Sequence, residues 1–160
     1  MNVAVCKKCA EVFSRVRKVF DALNRQMFGQ HSGGLAYCPR SKEEAQRALA
    51  MSAEICSCLH SLVFLSPRPV ASEGAEPIAQ VVARPIAHFF FCIDEVMYAR
   101  FPELVPEELK KGGKYVPSCS LREAIVKRED LDGLRDLLKE ATEKCRQALG
   151  DSPQTRMRRW

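Results

Sequence analysis

Glycine is less frequent than average in this chain and proline is not enriched, with 8 and 9 residues among 160. Such a composition predicts a few ordered loops rather than a low-complexity or disordered chain. Hydrophobic residues make up 46% of the sequence, and 160 residues are enough for one domain with a real core. We therefore expect a single helical domain over residues 1–150, followed by a basic C-terminal tail at 151–160.

Long apolar runs are absent as well. No stretch reaches the roughly 18 uncharged apolar residues that a membrane-spanning helix needs. The first residues also lack the apolar segment and small-residue cleavage site of a secretory signal, although their amphipathic, Arg-containing pattern is compatible with mitochondrial targeting. The sequence predicts an intracellular protein, of the cytoplasm or the mitochondrion, that is not secreted and has no membrane span.

Familiar catalytic and cofactor motifs are missing too. The sequence contains no P-loop, no GxGxxG and no GxSxG. Neighbouring carboxylates occur at three places: Asp94-Glu95, Glu107-Glu108 and Glu129-Asp130. None of them belongs to the Glu-x-x-His repeat of a di-iron bundle. We expect a protein without enzyme activity and without a cofactor.

Cysteine, by contrast, is abundant, with eight residues. Most of them fall inside predicted helices, where a thiol packs as a small hydrophobic group. Without a secretory signal, reduced thiols are the expected state. The alternative is a zinc or redox site in which Cys6 and Cys9 form a CxxC pair and Cys56, with Cys58 beside it, and His60 complete the ligands. We favour packed thiols and expect no metal, because the second pair is irregularly spaced and no strand precedes the CxxC.

A second candidate for chemistry is His88, with Cys92 one helical turn later and Glu95 beyond it. A thiol and an imidazole at this spacing can form a nucleophilic pair. These residues lie in the most apolar segment of the chain, however, where a substrate has the least access. We expect His88 to be a core histidine with a satisfied nitrogen.

Residues 3–28 carry the clearest helical pattern. Apolar side chains recur there at alternating spacings of three and four: Val5, Cys9, Val12, Val16, Val19 and Leu23. Three larger residues widen this stripe: Phe13, Phe20 and Met27. The pattern predicts an amphipathic helix that faces a core and ends at Gly29.

Three further helices are predicted. A capping box at Ser41 and Glu44 begins one that runs to about residue 65. Another runs from Pro77 to Phe101, with a kink or split near Arg84 because Pro85 lacks a backbone N–H. A short helical turn at 106–111 follows. A second capping box, from Ser120 to Glu123, begins a last helical region, one helix or two, that extends to 149. Four long helices predict an all-α, four-helix-bundle-like fold.

The net charge of +5 is concentrated at the two ends of the chain. A polyanion or an acidic partner is expected to meet those ends. The arginines of the tail suit phosphate or carboxylate contacts, and its terminal indole suits stacking or an apolar pocket. The candidate binding residues are Lys7, Lys8, Arg15, Arg17, Lys18, Arg25, Arg156, Arg158, Arg159 and Trp160.

We interpret the chain as a non-catalytic interaction protein, a subunit or adaptor of a larger assembly that docks through its first helix and its tail. The partner is another protein or a second copy of the chain. Apolar residues in predicted loops favour this interpretation: Leu35, Tyr37, Val70, Tyr115 and Val116. RNA or DNA binding through the same basic residues is the first alternative. A zinc- or thiol-dependent protein using Cys6 and Cys9 is the second.

Overall fold

The structure, a computed structural model, describes residues 3–29, 34–65, 76–110, 115–117 and 119–149, with the backbone alone at 3–6 and 149. Its long helices are α1 (Val3–Phe28), α2 (Lys42–Leu65), α3 (Ile78–Phe89) and α6 (Arg128–Leu149). A π-helical turn at Phe90–Asp94 joins α3 to α4 (Glu95–Arg100). A 3₁₀ turn at Pro102–Leu104 and the short helix α5 (Glu107–Lys110) follow. The predicted helical turn at 106–111 is thereby confirmed.

The four long helices form a closed ring in which α1 and α3 each contact both α2 and α6. All neighbours are antiparallel. Gln26 near the end of α1 bonds to the backbone of Glu44 near the start of α2. At the other end of the bundle, Lys144 of α6 donates to Glu76, which lies just before α3, at 2.7 Å. The prediction of an all-α, bundle-like fold is confirmed.

The predicted apolar stripe of α1 faces the core of this bundle. Phe13, Phe20 and Leu23 are fully buried, and Phe20 meets Phe89 of α3 edge to face with ring centroids 6.2 Å apart. Val12 is only half-buried, and the side chain of Val5 lies outside the described residues. Burial of large apolar side chains from all four helices is the main force that stabilises such a bundle.

Helix α2 begins where the first capping box predicted. Its first turn is capped by Ser41, whose hydroxyl accepts a hydrogen bond from the Glu44 backbone N–H at 3.2 Å. The Glu44 carboxylate does not return this bond to Ser41; it accepts from the Arg40 backbone N–H at 3.0 Å and from the Tyr37 hydroxyl at 2.9 Å. These bonds lower the pKa of Glu44. The cap therefore also ties the preceding loop to the helix.

Replacing Ser41 by alanine is expected to lower the free energy of unfolding by about 1 kcal/mol, because the Glu44 N–H loses its acceptor. Urea unfolding followed by circular dichroism measures this loss. Ser57→Ala is the matched control, since Ser57 is exposed in the interior of the same helix. That change is expected to stay within about 0.5 kcal/mol of the unchanged protein. Equal effects of the two substitutions would contradict the capping role.

The third helix is irregular, but not at the predicted place. Arg84 and Pro85 lie inside an uninterrupted α-helix, and Pro85 is buried against the core. The backbone departs from α geometry at the π turn, where the Glu95 N–H donates to the Phe90 carbonyl five residues earlier. A split of the helix near Arg84 is therefore wrong, whereas a kink there stays a prediction. After the π turn, Glu95 to Tyr98 are all buried, so this part of the helix is covered on every side.

The second capping box does not begin a helix. Ser120 and Glu123 close a turn instead, in which the Ser120 N–H donates to the Glu123 carboxylate at 3.2 Å. Two short strands, β1 (Ala36–Tyr37) and β2 (Val126–Lys127), then pair antiparallel. Helix α6 starts only at Arg128, where the Asp130 carboxylate accepts from the Lys127 N–H at 2.9 Å. The last helix is thus a single one, and it begins eight residues later than residue 120.

One helix of the described part of the chain, Lys42–Leu65, is long and apolar enough by length and composition to cross a membrane. The core helix of a bundle meets the same criteria. Six residues of this helix are buried in the bundle core: Ala45, Ala48, Ser52, Ile55, Leu59 and Leu62. Only 28% of its apolar window is buried, so burial accounts for part of its apolar composition.

Candidate interaction site

An apolar cleft of about 400 Å³ opens at the end of the bundle where α4 ends. Two tyrosine rings form part of its wall, Tyr98 from α4 and Tyr115 from the segment after α5. Their centroids are 6.0 Å apart and their planes are nearly perpendicular, at 89°. The other residues that line it are Ala99, Pro102, Val105, Lys110, Val116 and Pro117. We call this feature the tyrosine cleft.

Proline placement explains why a cleft forms here. The helix stops at Arg100 because Pro102 disfavours the α conformation at the residue before it, and Phe101 leaves that conformation with φ −132° and ψ 78°. Val105, before Pro106, is extended for the same reason. The chain therefore turns sharply twice instead of running on, and leaves an apolar gap beside the last turn of α4.

Glu95 fixes the far wall of the tyrosine cleft. Its side chain is only 4% exposed, and it accepts a hydrogen bond of 2.8 Å from the Tyr115 hydroxyl. The Glu95 carbonyl lies 3.8 Å from the Cys119 thiol, which donates to it. Arg100 adds a bond of 3.0 Å from its Nε to the Ala124 carbonyl. These contacts hold the 115–124 segment against α4 across the cleft.

The tyrosines of the cleft stay protonated. Burial, and then the hydrogen bond to Glu95, raise the pKa of Tyr115. Burial and the negative charge of Asp94 raise the pKa of Tyr98 to about 12. Both rings are therefore neutral hydrogen-bonding aromatic surfaces at physiological pH, suited to binding rather than to proton transfer.

A buried acid lies next to this wall, in the π turn. Burial raises the pKa of Asp94 to about 6. The Ser52 hydroxyl of α2 approaches the carboxylate and lowers that pKa, but neither Ser52 Oγ nor Asp94 Oδ1 completes a hydrogen bond of good geometry within the described structure. The Cys56 thiol is close enough that the Asp94 charge contributes to raising its pKa, after burial. The arrangement costs stability rather than supplying it.

The basic residues of α1 do not form one uniform surface. Arg15 is paired with Glu54 of α2, and Arg17 is half-buried. The remaining four are exposed: Lys7, Lys8, Lys18 and Arg25. Glu11 and Asp21 are exposed on the same helix and dilute the positive charge.

The tail residues Arg156, Arg158, Arg159 and Trp160 lie outside the described residues, as does Val70. The structure places the end of α6, which precedes the tail in the chain. Cys145 near this end is close enough to Cys9 of α1 for Cys9 to contribute to raising its pKa, so that the start of α1 and the end of α6 share one end of the bundle. This end, which we call the basic end, is opposite the tyrosine cleft.

Most cysteines of the described residues are buried or partly buried thiols, whereas Cys38 is exposed. Free thiols are carried by Cys38, Cys56, Cys58, Cys92, Cys119 and Cys145. Burial raises the pKa of Cys56 and Cys145 to about 12 and that of Cys92 to about 11. Reactive and metal-binding cysteines require the opposite shift, because the thiolate is the nucleophile and the ligand.

The predicted metal and nucleophile sites are not assembled by the described residues. Within them, no group of three or more His, Cys, Asp or Glu side chains could hold a metal ion; the side chain of Cys6 lies outside this set. His60 is exposed and makes an edge contact with the Phe64 ring. His88 is exposed rather than buried, which corrects the expectation of a core histidine. Glu95 turns to Tyr115 and not to His88.

Sequence reasoning identified Tyr115 and Val116 as apolar loop residues but missed the cleft itself. The structure exposes Val116 (76%) and half-buries Tyr115. Tyr98, Pro102 and Val105 were not recognised as part of a site. The sequence signal for the cleft was the series of irregularly spaced prolines after a buried helix. These prolines predict a turn-rich segment, but they do not predict which part of the protein that segment faces.

The fold and the cleft define an all-α helical domain with an apolar surface cleft. Comparisons with models of protein families, with curated proteins and with solved structures find no match for the chain.

Proposed function

We propose that this protein is an interaction protein, a subunit or adaptor, whose principal docking site is the tyrosine cleft. The observation that carries the proposal is an open apolar cleft, lined by two tyrosines and bounded by an exposed valine. Aromatic side chains are enriched where proteins bind one another, because they bury a large area at a small entropic cost. Raised pKa values of the tyrosines and thiols support binding rather than catalysis.

Val116→Asp is expected to weaken partner retention at least about 10-fold, because a charge in the apolar wall must be desolvated when the partner binds. The measurement is affinity purification of the tagged full chain with quantification of each retained protein. Leu35→Asp is the matched control, since Leu35 is 77% exposed against 76% for Val116 and does not line the cleft.

A protein retained by the unchanged chain and by Leu35→Asp, but lost from Val116→Asp, supports the proposal. Retention that both variants weaken equally, or neither weakens, would contradict it. Unfolding midpoints of the two variants are compared first, so that a fold defect is not read as a binding defect.

Polyanion or nucleic-acid binding at the basic end is the second candidate. The observation that favours it is that α1 begins where α6 ends, which brings Lys7 and Lys8 to the end of the bundle from which the arginine tail departs. Filter binding of single-stranded and duplex nucleic acid over a salt series tests it. Phosphate contacts produce a steep loss of affinity with salt. Affinity that is absent, or indifferent to salt and to charge reversal of both lysines, would remove this candidate.

A further inference from the structure

The rim of the tyrosine cleft distinguishes between kinds of ligand. Val116 is 76% exposed although it lines the cleft. A small molecule packed against the two tyrosines would leave this apolar rim in water. A polypeptide crossing the cleft would cover it, and removal of apolar surface from water is the main favourable term in protein association.

Charge in the cleft has one sign. Lys110 is the only charged side chain among the described residues that line it. Its ammonium lies 3.2 Å from Glu107 Oε1, in an exposed pair within one turn of α5. Such exposed pairs contribute only about 0.2–1 kcal/mol. Lys110 is therefore available to exchange Glu107 for a carboxylate that a ligand brings.

The carboxylates nearest the tyrosine cleft do not line it. Glu107 is exposed and paired with Lys110, whereas Glu95 is buried and already accepts the Tyr115 hydroxyl. A cationic ligand would meet Lys110 at the mouth and would find no exposed carboxylate among the lining residues. The charge of the cleft favours an acidic ligand and disfavours a basic one.

The two tyrosine rings suit an apolar anchor. Because their planes are nearly perpendicular, one ring can contact the face of an inserted aromatic, aliphatic or proline side chain while the other contacts its edge. The volume of about 400 Å³ lies near the lower end of the range for ligand pockets. It accommodates the side chains of a short segment rather than the face of a folded domain.

We infer that the tyrosine cleft binds a short linear segment of a partner protein, in which an apolar or aromatic anchor lies within a few residues of an aspartate or glutamate. The anchor packs against the corner formed by the Tyr98 and Tyr115 rings, and the acidic side chain pairs with Lys110. This inference rests on the proposed function and adds the chemistry of the partner to it.

The test is selection of random 12-residue peptides displayed on phage against the immobilised full chain. Three proteins are compared: the unchanged chain, Lys110→Glu and Val116→Asp. Selection on the unchanged chain is expected to enrich Asp or Glu near an apolar anchor at least about 5-fold over the starting library. Lys110→Glu is expected to replace that preference by Lys or Arg at the same distance from the anchor. Val116→Asp is expected to reduce total peptide recovery at least about 10-fold.

Each result distinguishes the inferred chemistry of the ligand from the proposed docking site itself. A switch from acidic to basic residues with Lys110→Glu supports the inference directly. Peptides that depend on Val116 but show no acidic preference, or keep it in Lys110→Glu, overturn the inference and leave the proposed function standing. Recovery that is unchanged in Val116→Asp, together with unchanged retention of partners in the purification, overturns both.

Discussion

Phe89→Ala is expected to lower the free energy of unfolding by about 3–5 kcal/mol, the largest loss expected from a single change in this protein. Phe89 is fully buried, and its ring meets Phe20 of α1 edge to face. Alanine would leave a cavity between α1 and α3, and the surrounding helices cannot collapse fully to fill it. Domains of this size are stable by about 5–15 kcal/mol, so the loss is a large share of the total.

The matched control is Phe91→Ala, two residues along the same helical run. Phe91 is 58% exposed, so that truncation removes little buried area. Its expected loss is below about 1 kcal/mol. Urea unfolding of the three proteins, followed by circular dichroism, measures both values. Similar losses at the two positions would contradict the burial of Phe89 and the exposure of Phe91.

Asp94→Asn is expected to stabilise the protein at pH 8 by up to about 3 kcal/mol. Burial raises the pKa of Asp94 from its ordinary value of 3.8 to about 6. A difference of this size corresponds to about 3 kcal/mol, which is an upper limit because the side chain is partly exposed. Asparagine removes the cost of burying a charge, and its amide can donate to Ser52 Oγ, which has no hydrogen bond of good geometry.

The pH dependence of this effect has a definite sign. Because the folded protein binds the Asp94 proton more tightly than the unfolded chain, the cost is fully present above about pH 6 and disappears as the pH falls towards 4. The difference in unfolding free energy between Asp94→Asn and the unchanged protein should therefore be largest at about pH 7–8 and near zero at about pH 4. Asp136→Asn, at an exposed position of α6, is the control and is expected to show no such trend.

Other carboxylates have lowered pKa values and therefore stabilise the folded protein at neutral pH. For this reason the comparison uses the difference in unfolding free energy between two proteins. Lys144, and then Arg84, lower the pKa of Glu76, and Lys144 lowers that of Glu140. These groups favour the folded state at neutral pH and lose that contribution as the pH falls. Subtracting one unfolding curve from the other removes them, since both proteins contain them. A difference that does not change between about pH 4 and 8 would contradict the burial of Asp94 as a charged group.

The relation between Asp94 and the tyrosine cleft follows from the π turn. An α-helix running through residues 90–94 would direct Glu95 elsewhere, whereas the extra residue of the turn brings Asp94 towards Ser52 and Glu95 towards Tyr115. The stability lost by burying Asp94 thus accompanies the placement of Glu95 in the wall of the tyrosine cleft.

The sequence by itself determined the features that depend on near neighbours. The apolar stripe of α1 follows from spacings of three and four, and the start of α2 follows from Ser41, whose bond partner is three residues away. Four helices with apolar stripes can bury those stripes only against one another, so the bundle followed from the same local patterns. The packed, protonated state of the cysteines was anticipated for the same reason, because small apolar neighbours marked them as core positions.

Only the tertiary structure decided the features that depend on distant residues. The start of α6 at Arg128 rather than near Ser120 was settled by the pairing of β2 with β1, about 90 residues earlier in the chain, since paired strand residues cannot also be helical. The tyrosine cleft exists because Tyr115 meets Glu95, 20 residues away, across a break made by prolines. Local periodicity carries no information on such contacts. Such contacts form where the packed core leaves a buried polar group in need of a hydrogen-bond partner. Which groups these are is decided only once the helices have packed.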